Sequence, residues 1–210
     1  MEKTDVLVIS TGNPNKLKEI QSLLKDFPLE VKSKDQVGLE EIEIEETGTT
    51  FEENALLKAK GIQQHTGTLV LADDSGITVD ALEGAPGVYS ARYGGEEGND
   101  RKNNQKLLGA LKEVPKEKRG AAFVCAVVVV LPDGKILKAT GVTRGTVGFE
   151  EKGQGGFGYD PLFILPNGKT MAELTATEKN AVSHRGKALR AIKELLTEEF
   201  IPGNQEKFQR

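Results

Sequence analysis

Two adjacent carboxylates stand where an apolar run in the first half of the chain stops. The run Leu69–Ala72 is followed directly by Asp73, Asp74, Ser75 and Gly76. A short apolar run predicts a buried strand, and successive strand residues point to opposite faces. Carboxylates are costly to bury without compensation, and at a strand end they suit Mg²⁺, which prefers oxygen ligands. The pattern predicts a metal site; the alternative is an ordinary turn, where Asp, Ser and Gly are common.

Further carboxylates precede this segment and are candidates for the same site. Glu45 and Glu46 are adjacent, and Glu53 lies three residues after Thr50. Each has a simpler alternative. A run of acids is usually a solvated loop, and Thr50 with Glu53 matches a capping box at the start of a helix.

The first strand-to-helix connection could hold a phosphate. Ser10–Lys16 reads Ser-Thr-Gly-Asn-Pro-Asn-Lys, in which Asn13 is a favoured N-cap and Pro14 fits the first helical position. Open α/β sheets bind ligands at the carboxyl ends of strands, and a helix N-terminus there attracts anions. Lys16 adds a positive charge. The alternative is a well-capped helix with nothing bound.

Two segments of the second half could recognise a flat, polar ligand. In Gly155–Pro161, glycines flank Phe157, whose ring could stack on a nucleobase while Asp160 accepts from a base N–H. At the entry to the last helix, Lys179, His184 and Arg185 group hydrogen-bond donors. The alternatives are a turn with core aromatics and a helix capped by Ser183 whose cations face solvent.

The elements that must position these residues follow an α/β pattern. Strands and helices alternate early, and strands pair by hairpin later, which predicts a mixed sheet. Glu40–Glu46 is predicted to be an edge strand or an extended loop. The predicted strands are 6–10, 29–32, 69–73, 77–81, 121–131, 135–143, 142–150 and 163–165, and the predicted helices begin at Asn13, Thr50, Asn99 or Asp100, and Ser183.

Composition limits the class of protein. The chain has 210 residues, a net charge of −4 and no basic tail, which argues against polymeric nucleic acid as a partner. Residues 1–200 are predicted to form one domain, and 201–210 a polar tail. One cysteine, Cys125, excludes an intrachain disulfide. No secretory signal is visible, and the longest apolar run, Ala121–Leu131, is short of the roughly 20 residues that cross a bilayer. We therefore expect a cytoplasmic protein without membrane association.

Several other chemistries fit poorly. Two histidines and one cysteine spread over the chain cannot form a zinc cluster with the usual spacing. Ser75 lacks the G-x-S-x-G pattern of hydrolase nucleophiles, and Cys125 has no local catalytic signature.

Five segments together resemble the inosine triphosphate pyrophosphatase family, also called Ham1-like, and within it the bacterial dITP/XTP pyrophosphatases. They occur in family order and cover nearly the whole chain. The matching segments are STGNPNK at 10–16, EETGTTFEENALLKA at 45–59, LADDSGITVDALEGAPGVYSARYGG at 71–95, GGFGYDPLF at 155–163 and AELTATEKNAVSHRGKAL at 172–189.

The resemblance implies a two-lobed fold around a long mixed sheet, with a nucleotide in a central cleft. It implies a homodimer that requires Mg²⁺ and hydrolyses non-canonical purine nucleoside triphosphates to the monophosphate and pyrophosphate. ITP, dITP and XTP are the implied substrates, so the enzyme would cleanse the nucleotide pool of deaminated purines.

The resemblance also implies a role for each matched residue. Asp74 would accept the proton of the attacking water and bind the metal with Glu45, while Asp73 and Glu53 would support the metal site. Phe157 would stack on the purine. The other implied substrate-binding residues are Thr11, Gly12, Asn13, Pro14, Asn15, Lys16, Ser75, Gly158, Tyr159, Asp160, Lys179, His184 and Arg185.

Two other functions stay open at this point. One is a Maf-like pyrophosphatase of modified pyrimidine nucleotides, which the His184-Arg185-Gly186 segment disfavours. The other is a sensor that binds nucleotides without turnover, which would keep Phe157 and Arg185 but would not need Asp74.

Overall fold

A computed structural model describes residues 6–96 and 98–200, so the predicted tail, 201–210, lies outside the described residues. The strands are β1 (Val6–Ser10), β2 (Glu30–Ser33), β3 (Leu69–Val79), β4 (Gly120–Val130), β5 (Ile136–Val147) and β6 (Phe163–Ile164). The helices are α1 (Pro14–Leu24), α2 (Phe51–Thr66), α3 (Asp100–Ala110), α4 (Ala176–Val182) and α5 (His184–Phe200), and short 3₁₀ turns join several of them.

The six strands form one mixed sheet, which confirms the predicted α/β class. Their order is β2-β1-β3-β4-β5-β6. β1 is parallel to β2 and to β3, with Ser10 opposite Ala72, whereas β5 and β6 are antiparallel. The apolar run of β4 lies inside the sheet, as expected for a strand buried on both faces.

The chain divides into two compact units. The first unit contains the described residues up to Asp74, then Ala126–Thr140, then those from Lys187 onward. Its core forms where the apolar faces of β1, β3 and β4 meet α2. The buried residues of this core are Val8, Ala55, Ala59, Ile62, Val70, Ala72, Val128 and Val130.

The second unit contains Ser75–Cys125 and Gly141–Gly186. Its core is richer in aromatic rings, and Phe123 packs on Phe163 with ring centroids 4.4 Å apart. The other buried members are Ile77, Val79, Leu107, Leu111, Ala121, Val147, Tyr159, Leu162, Leu165 and Met171. In the part of the chain that the structure describes, no helix is both long and apolar enough to cross a membrane.

The structure corrects the predicted end of the third strand. Asp73 and Asp74 do not end β3 but lie inside it, since the strand continues to Val79. The predicted break and the alternative of a turn are both wrong. The carboxylates stay in the strand because cationic side chains of distant segments compensate their charge, as the candidate site shows.

Three other predicted elements also differ. Two predicted strands, 135–143 and 142–150, are the single strand β5. Glu40–Glu46 contains no strand, so the extended-loop alternative is correct. The segment before the last helix folds into α4, which was not predicted, and Ser183 ends it.

Three capping boxes fix helical starts, and the one at Thr50 was predicted. Thr50, Thr170 and Thr175 each accept from the backbone N–H three residues later, while Glu53, Glu173 and Glu178 accept from the N-cap backbone. Backbone N–H donors lower the pKa of all three glutamates below the ordinary value of 4.5, and the largest contribution comes from Thr49 for Glu53, Thr170 for Glu173 and Thr175 for Glu178.

Replacing all three glutamates by glutamine is expected to make the unfolding free energy depend less steeply on pH at acidic pH. A carboxyl whose pKa is lower in the folded state stabilises the fold above its unfolded pKa, here 4.5. That contribution is lost as pH falls through the folded pKa. Glutamine keeps the cap hydrogen bond but does not titrate. Urea unfolding at several pH values between 3 and 7 measures this, and an unchanged slope below pH 4.5 would contradict it.

Candidate active site

The two carboxylates of β3 are buried and each is paired with a lysine of a different helix. Asp73 and Asp74 are 1% and 6% exposed. Asp73 Oδ2 lies 3.4 Å from Lys16 Nζ of α1, and Asp74 Oδ1 lies 3.7 Å from Lys58 Nζ of α2. The alternation of strand side chains places the pair against different partners, as the sequence predicted.

Lys58 joins a third carboxylate to this group. Its Nζ lies 2.9 Å from Glu46 Oε1, so one ammonium group bridges Glu46 and Asp74. We call Asp73, Asp74, Glu46, Lys16 and Lys58 the acidic cluster. Because the cluster has three carboxylates but two ammonium groups, its charge favours the binding of a further cation.

Burial and charge act in opposite directions on the cluster. Burial raises the pKa of Asp74, and Lys58 and Lys16 offset this only in part. Burial alone would lower the pKa of Lys58, but the carboxylates of Asp74, Asp73 and Glu46 together raise it. A raised pKa makes the Asp74 carboxylate a stronger proton acceptor than an exposed aspartate.

Asn54 connects Asp74 to the loop that carries Glu45 and Glu46. This fully buried side chain donates from Nδ2 to Asp74 Oδ2 at 3.2 Å and accepts from the N–H of Gly48 at 2.8 Å. One carboxamide therefore fixes both the Asp74 carboxylate and the loop backbone.

Gly48→Ala is expected to lower stability by about 1–3 kcal/mol, as overpacking does. A Cβ at Gly48 would lie 2.6 Å from Asn54 Oδ1 and 2.7 Å from Glu53 Cβ, so Asn54 must move. We expect kcat of the hydrolysis that the family resemblance implies to fall as well, because Asn54 contacts Asp74. The matched control is Gly109→Ala, where a Cβ meets nothing within 4 Å inside α3, so no loss is expected. Equal effects of the two substitutions would contradict the prediction.

The start of α1 is capped from within, as the alternative to phosphate binding stated. Asn13 Oδ1 accepts from the N–H groups of Asn15 and Lys16 at 2.9 and 3.2 Å, and Pro14 occupies the first turn. Thr11 Oγ1 accepts from the Asn13 N–H at 3.2 Å. The capping prediction is confirmed, and the binding of phosphate by Thr11, Gly12, Asn13, Pro14, Asn15 and Lys16 stays a prediction.

The acidic cluster has the right chemistry for Mg²⁺. Carboxylate oxygens are its preferred ligands, and one or two of them suffice when substrate oxygens and water complete the shell. Lys58 Nζ already lies between two carboxylates, so the cluster stabilises a cation. Among residues 6–96 and 98–200, no three His, Cys, Asp or Glu side chains form a ready metal cage.

The outcome differs for two residues predicted to belong to the metal site, Glu53 and Glu45. Glu53 Oε2 accepts from Thr49 N at 2.7 Å, Thr49 Oγ1 at 2.9 Å and Thr50 N at 3.1 Å, so its capping alternative is confirmed. Glu45 as a metal ligand stays a prediction.

In the second unit, Phe157, Asp160 and Lys179 come together. Asp160 Oδ2 accepts from Lys179 Nζ at 2.6 Å and from the Phe157 N–H at 2.9 Å. Lys179 Nζ lies 4.5 Å from the centroid of the Phe157 ring. Asp160 and Lys179 are 3% and 6% exposed, whereas Phe157 is half-buried.

Arg185 completes this group, which we call the ring cluster: Phe157, Asp160, Lys179 and Arg185. Its Cζ lies 5.6 Å from the Phe157 centroid, and its Nη2 donates to Ser75 Oγ at 2.8 Å. Since Arg185 and Lys179 are buried, the alternative that these cations face solvent is wrong.

His184 and Tyr159 belong to the core beside this cluster. His184 stacks on Phe123 with ring centroids 4.7 Å apart and an interplanar angle of 13°. The Tyr159 hydroxyl donates to the Ser90 carbonyl at 2.8 Å, and burial raises its pKa well above the ordinary value. The aromatic-core alternative is therefore correct for Tyr159, whose hydroxyl has a structural role.

Several residues in or beside the two clusters were not predicted from the sequence. Lys58 and Asn54 lie four residues apart on α2, a spacing that places them on one helical face and could have been noticed. Asp100 and Asn104 of α3, which contact Gly158, carried no functional signal, because polar residues on a helix usually face solvent.

Comparison with known proteins identifies relatives along nearly the whole chain. A sequence model of the Ham1 family matches residues 7–195. A dITP/XTP pyrophosphatase of Yersinia pseudotuberculosis is 50% identical over 193 residues, which cover 90% of this chain and 97% of the relative. Another, of Clostridium perfringens, is 47% identical over 196 residues, covering 90% and 96%.

Solved structures give the same result. A HAM1 protein from Coxiella burnetii superposes with a TM-score of 0.84 at 41% identity, covering 93% of this chain and 100% of the other. A nucleoside-triphosphatase, also named dITP/XTP pyrophosphatase, from Mycobacterium abscessus has a TM-score of 0.74 at 45% identity, with coverages of 91% and 98%.

Proposed function

Because this chain belongs to the Ham1 family, we propose that it hydrolyses non-canonical purine nucleoside triphosphates to the monophosphate and pyrophosphate. ITP, dITP and XTP are the proposed substrates. The observation that supports this most directly is the buried Asp74, held between Lys58 and Asn54 with a raised pKa.

We propose that the first unit performs the chemistry. Hydrolysis at the α-phosphorus needs an oriented water, a proton acceptor and neutralised phosphate charge. Asp74 accepts the proton of the water, while Asn54 holds the carboxylate in place. Lys16 and the N-terminal end of α1, Thr11–Lys16, bind the triphosphate, and Lys16 changes partner from Asp73 to phosphate.

Asp74 and Glu45 are the residues we propose to hold Mg²⁺. When bound, the ion shields phosphate charge and makes water more acidic. Addition of EDTA should abolish turnover, and Mg²⁺ should restore it.

The second unit is proposed to recognise the base. Phe157 stacks on the purine, and stacking of a base on an aromatic ring contributes about 1–3 kcal/mol. A 6-oxo purine presents an acceptor where adenine presents an amino donor, so a donor such as Arg185 or His184 favours the first. Asp160 and Lys179 orient the ring, and Ser75 and Gly158 complete the contacts.

One assay tests the function against its alternatives. The protein is incubated with Mg²⁺ and ITP, dITP, XTP, GTP, ATP or modified pyrimidine triphosphates, and products are resolved by chromatography. We expect pyrophosphate and the monophosphate from the first three. Phosphate as first product would contradict the cleaved bond, preference for pyrimidines would favour the Maf-like alternative, and tight ITP binding without turnover would favour a sensor.

The homodimer and the cytoplasmic location stay predictions. Light scattering of the purified protein tests the first, and cell fractionation tests the second.

A further inference from the structure

Helix α3 binds both backbone polar atoms of Gly158, the residue that follows Phe157. Asp100 Oδ2 accepts from the Gly158 N–H at 2.6 Å, and Asn104 Nδ2 donates to the Gly158 carbonyl at 3.2 Å. Asp100 and Asn104 are four residues apart, so they share one face of the helix. We propose that these two side chains are positioning residues for base recognition, an inference that rests on the proposed function.

Asn104 has a defined orientation. It is 3% exposed, and its Nδ2 also donates to Glu151 Oε1 at 3.0 Å. Within the described residues its Oδ1 has no hydrogen-bond partner. Both donors of the amide therefore face acceptors, and an oxygen in their place would face the Gly158 carbonyl and the Glu151 carboxylate.

The backbone conformation makes this support necessary. Gly158 has a φ of +61°, a left-handed conformation that glycine adopts without steric cost but does not prefer strongly. Without side-chain contacts the loop would sample other conformations. Asp100 and Asn104 select one of them by binding the N–H and the carbonyl of the same residue.

The backbone of Phe157 itself is fixed as well. The Phe157 N–H donates to Asp160 Oδ2 at 2.9 Å, and Asp160 N–H donates to the Phe157 carbonyl at 3.2 Å. With Gly158 bound to α3, the backbone of both Phe157 and Gly158 is held. A ring that is held in one orientation is preorganised for stacking, and preorganisation lowers the entropic cost of binding.

The expected consequence is a change in KM without a change in kcat. Loss of either α3 contact loosens the ring but leaves Asp74, Lys58 and Asn54 untouched. We expect Asp100→Ala and Asn104→Asp to raise KM for ITP by about tenfold, since each alters a hydrogen bond that involves or creates a charge. Asp100→Asn keeps an acceptor oxygen and should restore most of the affinity. Gln105→Ala, an exposed neighbour on α3, is the matched control.

The test compares these variants with Phe157→Leu, which removes the ring itself. KM and kcat for ITP are measured, with thermal unfolding to verify the fold. A raised KM at constant kcat in Asp100→Ala and Asn104→Asp, with rescue by Asp100→Asn, supports the inference. Unchanged KM in both variants, or an equal fall of kcat, overturns it. If Phe157→Leu also leaves KM unchanged, the proposed base recognition fails instead.

Discussion

Asp74→Asn is expected to lower kcat for ITP by about a thousandfold while the protein still folds. A positioned general base contributes about 10²–10⁴ in rate, and the amide cannot accept the proton. It keeps the size of the carboxyl group and an oxygen for the Asn54 donor. Initial rates of pyrophosphate release measure kcat, and urea unfolding measures stability.

Stability should change little, by about 1 kcal/mol at most. The pKa of Asp74 is raised in the folded state, so the folded protein binds the proton more tightly than the unfolded chain. Ionised Asp74 therefore opposes folding above its folded pKa, and a neutral amide removes this cost. The loss of one partner of Lys58 acts in the opposite direction.

Asp73→Asn is the matched control, because Asp73 is the adjacent buried carboxylate and contacts a different lysine. We expect kcat to fall less in Asp73→Asn than in Asp74→Asn, and we expect the contact between residue 73 and Lys16 to weaken. If Asp74→Asn keeps more than about a tenth of the rate, or both variants lose equally, the assignment of the base to Asp74 is wrong.

Local signals predicted the elements well where the physical cause is local. The capping box at Thr50 and the N-cap at Asn13 involve atoms three residues apart or fewer, and both are present as predicted. The strand β4 was also predicted correctly, because its own apolar residues favour a strand that is buried on both faces.

The errors arose where the cause is distant in sequence. Two adjacent carboxylates disfavour burial and therefore predict a strand end at Asp73 and Asp74, but Lys16 and Lys58 lie 3.4 and 3.7 Å from them. No local pattern reveals that pairing.

The continuous strand β5 has a similar explanation. A Cβ at Gly145 would lie 2.4 Å from the Ile164 carbonyl and 2.6 Å from the Phe163 ring. This glycine permits β6 to approach closely within the continuous strand.

In the candidate site, too, features with a local cause were predicted and contacts between distant segments were not. Sequence motifs identified Asp74, Phe157, Lys179 and Arg185, because the resemblance carries them as residue types. The motifs did not reveal that Lys179 is bound to Asp160 or that α3 holds Gly158, since these contacts join segments that are 19 and more residues apart. Predicting them requires the packing of the second unit.

Lys179→Met is expected to destabilise the protein by about 3–5 kcal/mol, because removal of one partner leaves the other charge buried. Asp160 Oδ2 and Lys179 Nζ are 2.6 Å apart, and their side chains are 4% and 8% exposed. Asp160→Asn should destabilise less, since asparagine still accepts from the Phe157 N–H. Urea unfolding of both variants and of the double variant gives the coupling between the two side chains.

The double variant Asp160→Asn/Lys179→Met should recover part of the loss, because both charges of the pair are removed together. The matched control is Lys102→Met, whose ion pair with Glu96 has the same 2.6 Å distance but side chains 55% and 60% exposed. Solvent screens that pair, so we expect no measurable change in its unfolding free energy. If the exposed and buried variants lose equally, or if the double variant loses the sum of the singles, burial does not determine the strength of the Asp160–Lys179 pair. KM for ITP should rise in both buried single variants, because each breaks the Asp160–Lys179 pair that lies against the Phe157 ring, and remain unchanged in Lys102→Met.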